Sequence, residues 1–194
     1  MHYIVGLGNP GEEYELTRHN AGRMSVLEFV KKEKIDEPKF DKKLKALVSK
    51  GEIGKSKFQI ILPETFMNKS GDSLKPLVLS VKKVENLIVV HDDIDLPLGK
   101  IKISFGKNSG GHKGVESVIK AVKTINFTRV RIGISSTNAK GIVKKPSGDK
   151  FLDYIVAKFK PIELAEMKKN AKKSAEAIRV IVSDGAEKAM GEFN

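Results

Sequence analysis

Leu87-Ile88-Val89-Val90, running directly into His91-Asp92-Asp93, is the stretch on which the fold turns. Four consecutive apolar residues, three of them β-branched, leave no polar face, so the segment reads as a strand buried on both sides that ends at the polar triplet. Working outward, residues 70–83 read as a helix whose start is blurred by Gly71 and Pro76. Downstream, residues 100–105 alternate as a half-buried strand, 106–114 form a glycine-rich loop, 115–124 a helix and 129–135 another alternating strand. Farther out, residues 3–7 form a second buried strand that opens into a loop over 8–18. Residues 21–34 follow as a helix with Met24, Leu27, Phe29 and Val30 at near-helical spacing and Asn20 available as its cap. Residues 45–53 and 57–62 make a hairpin about Gly54-Lys55-Ser56, closed by Pro63. Residues 136–149, polar with Gly141, Pro146 and Gly148, read as a mobile loop, and 161–183 as a long helix opened by Pro161 and followed by a short tail. Strands and helices interleave, so the expected fold class is α/β: a single domain over 1–194 with a mixed central β-sheet flanked by α-helices.

The length of 194 residues suffices for one core and is short for two. No run approaches the ~20 apolar residues that a membrane span requires. The opening Met1-His2-Tyr3-Ile4-Val5-Gly6 enters a strand without the pattern of a signal peptide. Cysteine is absent, which excludes disulfides and thiolate chemistry and suits a reducing compartment. A cytoplasmic location is therefore expected, with no membrane partner. Thirty-six Lys and Arg against 24 Asp and Glu give a net charge of +12. Such an excess attracts polyanions by releasing their condensed counterions, which makes nucleic acid the first partner to consider, although lysine-rich surfaces also serve solubility.

Asn9, His19, Asn68, Asp92 and His112 fall at apparent strand ends, where open α/β sheets bind ligands. A histidine near its ordinary pKa can take a proton from water, and a carboxylate on its other ring nitrogen holds the tautomer and steadies the cation that forms. His19 and Asp92 suit those roles, and the amides of Asn9 and Asn68 can donate to an oxyanion. Together they suit ester hydrolysis by activated water. Each has a plainer reading too: a structural histidine at a helix start, turn or cap asparagines, or a carboxylate cluster of Asp92, Asp93 and Asp95 with His91 that could hold a divalent metal but fits no defined metal spacing. His112, in Gly110-Gly111-His112-Lys113-Gly114, sits where helix-start amides could meet an anion. Gly6-Leu7-Gly8-Asn9-Pro10-Gly11 matches the dinucleotide fingerprint G-x-G-x-x-G, but the helix begins nearer Asn20 than the third glycine, and Glu12-Glu13 would repel a pyrophosphate.

Several of these stretches together resemble the bacterial peptidyl-tRNA hydrolase family over nearly the whole chain. Gly6 to Gly11, Tyr14 and Thr17-Arg18-His19-Asn20-Ala21-Gly22 are similar to its opening signature, and Pro63 with Thr65-Phe66-Met67-Asn68-Lys69-Ser70-Gly71 to its second. His91-Asp92-Asp93-Ile94-Asp95-Leu96-Pro97, Ser109-Gly110-Gly111-His112-Lys113-Gly114 and Arg129-Val130-Arg131-Ile132-Gly133-Ile134 follow in the same order. The resemblance implies His19 as general base, Asp92 orienting it, and Asn9 and Asn68 at the peptide and its scissile carbonyl. It implies Met67 as a wall of the peptide groove and Tyr14 beside the base, with Phe66, Asn20, His112 and Lys113 at the substrate. It also implies Arg131 as the residue that grips a phosphate at the tRNA end. It implies peptidyl-tRNA as substrate and partner, with no metal and no cofactor; a monomer is the expectation independent of it. Two positions depart from the family: Lys113 stands where an asparagine is usual, and Ser104 where many members carry a basic residue for the tRNA 5′-phosphate, with Lys102 or Lys107 as substitutes. Lysine donates but cannot accept, so Lys113 motivates a rival reading, a catalytically weak or inactive RNA-binding relative.

Overall fold

The computed structural model describes residues 1–77, 81–146, 148 and 150–194. Its strands are β1 (His2–Gly6), β2 (Lys39–Asp41), β3 (Ala46–Ile53), β4 (Ser56–Pro63), β5 (Leu87–Pro97), β6 (Ile101–Phe105) and β7 (Thr128–Ser135). They form one seven-stranded sheet in the order β2-β3-β4-β1-β5-β7-β6. The inner strands β4, β1, β5 and β7 run parallel, while β2, β3 and β6 attach antiparallel at the edges, so the sheet is mixed as expected. The helices are α1 (Ala21–Lys32), α2 (Val81–Val84), α3 (Lys113–Val122), α4 (Lys150–Val156), α5 (Pro161–Asp184) and α6 (Ala186–Phe193). Ile4, Ile88 and Val90 face one core with Val26 and Phe29 of α1 and Ile178 of α5. Val5 and Val89 face a second with Val115 and Val118 of α3. These alternate residues of β1 and β5 meet apolar cores on both faces, which is why both strands read as unbroken apolar runs. No described helix is long and apolar enough to cross a membrane.

Several local expectations are corrected. Residues 70–83 are not one helix: 3-10 turns over Met67–Ser73 and Lys75–Leu77 precede α2, and 78–80 lie outside the described residues. Gly71 explains the tight turn, since a Cβ there would stand 2.1 Å from the Ser117 carbonyl oxygen of α3. Leu27 is 42% exposed and off the core face of α1. Asn20 occupies the N-cap position of α1 without capping it, its side chain being engaged elsewhere. The expected tail after 183 folds as α6, and in the expected loop Thr137 bridges Val143, while 147 and 149 lie outside the described residues. The short edge strand β2 and helix α4 had no counterpart in the sequence reading.

The correction that matters most concerns β5, which does not end at His91-Asp92-Asp93 but continues to Pro97. His91, Asp92 and Asp93 pair with Arg131, Ile132 and Gly133 of β7. Gly133 permits this: a Cβ there would stand 2.0 Å from the Pro97 carbonyl oxygen. The polar triplet is thus held by ladder hydrogen bonds rather than by a loop. A second glycine, Gly22, brings the start of α1 onto the strand backbone, where an added Cβ would lie 2.2 Å from the Val90 carbonyl oxygen. That contact sets His19 beside Asp92. Gly22→Ala is expected to lower stability by about 1–3 kcal/mol through overpacking, read from the denaturant midpoint. An unchanged midpoint would mean that α1 is free to move outward.

Candidate active site

Asp92 is the hub of the site. It is 4% exposed and lies on β5, where its carboxylate meets two imidazoles. His19 Nδ1 is 3.0 Å from each of its oxygens, and His112 Nε2 is 2.8 Å from Oδ1. His112 precedes α3 and is its N-cap: Nδ1 accepts from the backbone N–H of Gly114 at 3.1 Å and Val115 at 3.3 Å. Because that nitrogen is an acceptor, the proton of neutral His112 belongs on Nε2, which donates to Asp92. By the same logic His19 donates from Nδ1, leaving the Nε2 lone pair without a hydrogen-bond partner among the described residues. The arrangement can therefore accept a proton at one defined atom.

Electrostatics reinforce the pair. Burial pulls His19 downward, but the charge and hydrogen bond of Asp92 outweigh it and raise its pKa above the ordinary 6.5. Burial alone would raise Asp92, yet the His19 and His112 contacts hold it well below the ordinary 3.8, so it is ionised at neutral pH. His91 is different: its Nδ1 lies 2.7 Å from the Asp92 carbonyl oxygen, and burial, with His112 alongside, pushes its pKa well below 6.5. It serves as a neutral packing partner.

Asn9, in the loop after β1, is fixed on three sides. Its N–H donates to Asn20 Oδ1 at 2.8 Å, its carbonyl accepts from Asn20 Nδ2 at 2.9 Å, and its Oδ1 accepts from the Met67 N–H at 2.8 Å. The Asn9 amide nitrogen is left as a donor at a cavity of about 1040 Å³ that Asn9 lines with His19, Met67, Asn68, Asp92 and His112. Asn20 itself is buried at 1% exposure and is not among the cavity's lining residues, so it reaches the site through Asn9. Tyr14 is not among them either, packing edge-on against Phe66 with ring centroids 6.5 Å apart. Phe66 and Asn68 are exposed at the cavity, whereas Met67 is buried beneath it, so close to Gly114 that a Cβ there would stand 2.4 Å from its sulfur. Lys113, at the rim of the cavity, pairs with Glu116 at 3.1 Å and is largely exposed.

The far side of the cavity is basic. Lys102, Lys107, Lys113, Arg129 and Arg131 line it against Asp92, Asp93 and Asp95. Arg131 Nε is 2.6 Å from Asp93, and Lys145 is 2.5 Å from Asp95, so the three aspartates weighed as an alternative metal cluster are each engaged separately. His19, Asp92 and His112 do bring three potential ligand atoms within 4.8 Å of one another. That set does not fit a cation, because His112 Nδ1 faces two N–H donors and so must keep its proton on Nε2, the atom a metal would need. Arg129 carried no role in the sequence reading. Its signal was available in the spacing, since residues 129 and 131 of one strand share a face.

A mixed α/β sheet that sets a carboxylate-anchored histidine and a fixed amide donor at a basic-lined cavity is the arrangement of a hydrolase. The particular family follows from comparison: the family model described as peptidyl-tRNA hydrolase matches residues 3–194, and the chain belongs to that family. It is 41% identical over 195 residues to the peptidyl-tRNA hydrolase of Thermoanaerobacter sp. (strain X514), covering 100% of both chains. It is 40% identical to that of Carboxydothermus hydrogenoformans, covering 100% of this chain and 98% of the relative. The crystal structure of peptidyl-tRNA hydrolase from Acinetobacter baumannii superposes with a TM-score of 0.87 at 30% identity, covering 100% of this chain and 94% of that one.

Proposed function

We propose that the protein hydrolyses the ester joining a peptide, or an N-blocked aminoacyl group, to tRNA, and so recycles tRNA released prematurely from ribosomes. The observation that carries the mechanism is the His19–Asp92 contact with His19 Nε2 left open. His19 Nε2 removes a proton from water as the oxygen attacks the ester carbonyl. The amides of Asn9 and Asn68 hold the resulting oxyanion. Collapse of the tetrahedral intermediate breaks the acyl–oxygen bond, and the departing ribose oxygen takes the proton back from His19. Asp92 orients the imidazole and stabilises its transient cation throughout. Phe66, Met67 and His112 bound the acyl side, Tyr14 and Asn20 support it from behind, and Arg131 with the basic wall meets tRNA phosphate.

The rival reading of an inactive RNA-binding relative rested on Lys113, whose ammonium is largely exposed and pairs with Glu116 rather than with Asp92. Release of N-acetyl amino acid from N-acetyl-aminoacyl-tRNA is expected, at a rate unchanged by EDTA. Binding without release refutes hydrolysis, and a rate lost to chelator and restored by a divalent ion refutes the water–imidazole route. The protein acts as a monomer in the cytoplasm on this reading, and a sedimentation experiment that finds a stable dimer refutes the first part.

A further inference from the structure

The turn that carries His19 is gripped on both sides of it. Arg18, His19 and Asn20 make one 3-10 turn, and each side chain has its own partner. Asn20 exchanges two hydrogen bonds with the Asn9 backbone, at 2.8 and 2.9 Å, and so ties the turn to the amide donor of the site. Arg18 ties it to another wall. Its side chain, 5% exposed, donates through Nη1 to the carbonyl oxygens of Ala157 and Lys158, each at 3.2 Å, and through Nη2 to Glu163 at 2.6 Å. The guanidinium carbon stands 4.4 Å from the Tyr154 ring centroid and 5.3 Å from that of Phe159. Nε has no hydrogen-bond partner among the described residues, so the ring faces hold that side of the group. The main chain follows the same line: the Arg18 N–H donates to the Ala157 carbonyl at 3.2 Å and the Phe159 N–H to the Leu16 carbonyl at 2.9 Å, a short antiparallel bridge.

From this we infer that Arg18 is a positioning residue for the catalytic base: it fastens the His19 turn to the segment 157–163 and, through it, to α4, so that base and cavity wall form one unit. The inference rests on the tRNA-ester reading above. α4 supplies that wall directly, since Phe151, Leu152, Ile155 and Val156 line the cavity. Tyr154, among them, donates its hydroxyl to the Ile134 carbonyl of β7 at 2.9 Å, which carries the brace on to the sheet. Stability alone does not require an arginine here, because burying a guanidinium costs desolvation that an apolar side chain of similar size avoids. What the planar fork adds is direction, since donors at fixed angles meet two carbonyls and a carboxylate in only one placement of the turn. His19 depends on that placement. Its Nδ1 must stay 3.0 Å from an Asp92 carboxylate that β5 and His112 already hold still.

Arg18→Met is expected to lower kcat about 10- to 100-fold on N-acetyl-aminoacyl-tRNA and on N-acetyl-aminoacyl-adenosine alike, because both esters depend on the same base. The larger part of the loss should fall on kcat rather than on KM. A readout independent of turnover is the tautomer of His19, seen in long-range proton–nitrogen NMR spectra of the imidazoles and assigned by the resonances missing from His19→Ala. Wild type should carry the proton on Nδ1, and Arg18→Met should show a mixture of both tautomers. Arg179→Met, which removes an equal charge by breaking an ion pair with Glu33 farther along α5, should change neither kcat nor tautomer. Should Arg18→Met fold poorly, Tyr154→Leu removes one aromatic face and the tie to β7 while leaving Arg18 in place, and should produce the same two changes in smaller measure. A folded variant with wild-type kcat and a single Nδ1–H tautomer overturns the positioning role. So does a fall in kcat that only matches a fall in the folded fraction, or an equal loss in Arg179→Met. Wild type that hydrolyses neither ester, with the tautomer still responding to Arg18→Met, instead overturns the functional reading itself.

Discussion

His19→Ala is expected to lower kcat on N-acetyl-aminoacyl-tRNA by at least ~100-fold, with KM changed far less. The split follows from what His19 does and does not touch. Its Nε2 is the one imidazole nitrogen of the hub left open to solvent and substrate, since His112 is committed at both nitrogens and His91 Nε2 is buried. No neighbour can replace it as base. Lys102 on β6 and Arg129 and Arg131 on β7 are untouched by the substitution, so the proposed binding of the polyanion is left in place. Asp92 keeps its His112 contact, which limits the damage to the fold. Kinetics at saturating substrate decide the matter: a variant within tenfold of wild type removes His19 from the proton transfer.

Asp92→Asn should show a comparable loss, on the order of 10²–10⁴ in kcat, together with a displaced pH profile. The carboxylate accepts from two N–H groups, His19 Nδ1 and His112 Nε2, and an amide at 92 can accept only through its single oxygen, so its NH2 opposes one imidazole N–H. Either His19 turns to the wrong tautomer or His112 gives up its helix cap. The sign of the pH effect comes from the balance at His19, where burial lowers the pKa and Asp92 more than restores it. Wild-type kcat/KM should therefore be lost as pH falls through a midpoint above 6.5, because only the unprotonated ring is a base. Without the carboxylate, burial is left unopposed, and the acid limb should move to lower pH while the plateau drops. A limb that stays put or moves upward contradicts the pairing.

Much of the fold was legible because it is encoded locally. The unbroken apolar runs of β1 and β5, the hairpin around Gly54-Lys55 and the period of α5 each follow from neighbours in sequence. The 67–77 segment was misread because its geometry is imposed from outside: Gly71 sits under the backbone of α3, and no periodicity within the segment records that. The ending of β5 was misread for a similar reason. A polar triplet looks like a strand terminus, yet pairing with β7 and the close approach at Gly133 carry the strand through it.

By itself the sequence determined the α/β class, the reach for a polyanion, and the set of residues able to perform ester hydrolysis, because composition, hydrophobic period and side-chain chemistry are properties of the chain. Only the tertiary structure decided which of those residues meet. His19 and Asp92 stand 73 positions apart and touch because Gly22 lets α1 rest on the Val90 carbonyl. His112 proved to be a helix cap that steers a proton, and Asn20 a brace for Asn9. Such roles depend on strand register and on donor–acceptor matching across elements distant in sequence, and neither exists until the sheet has formed.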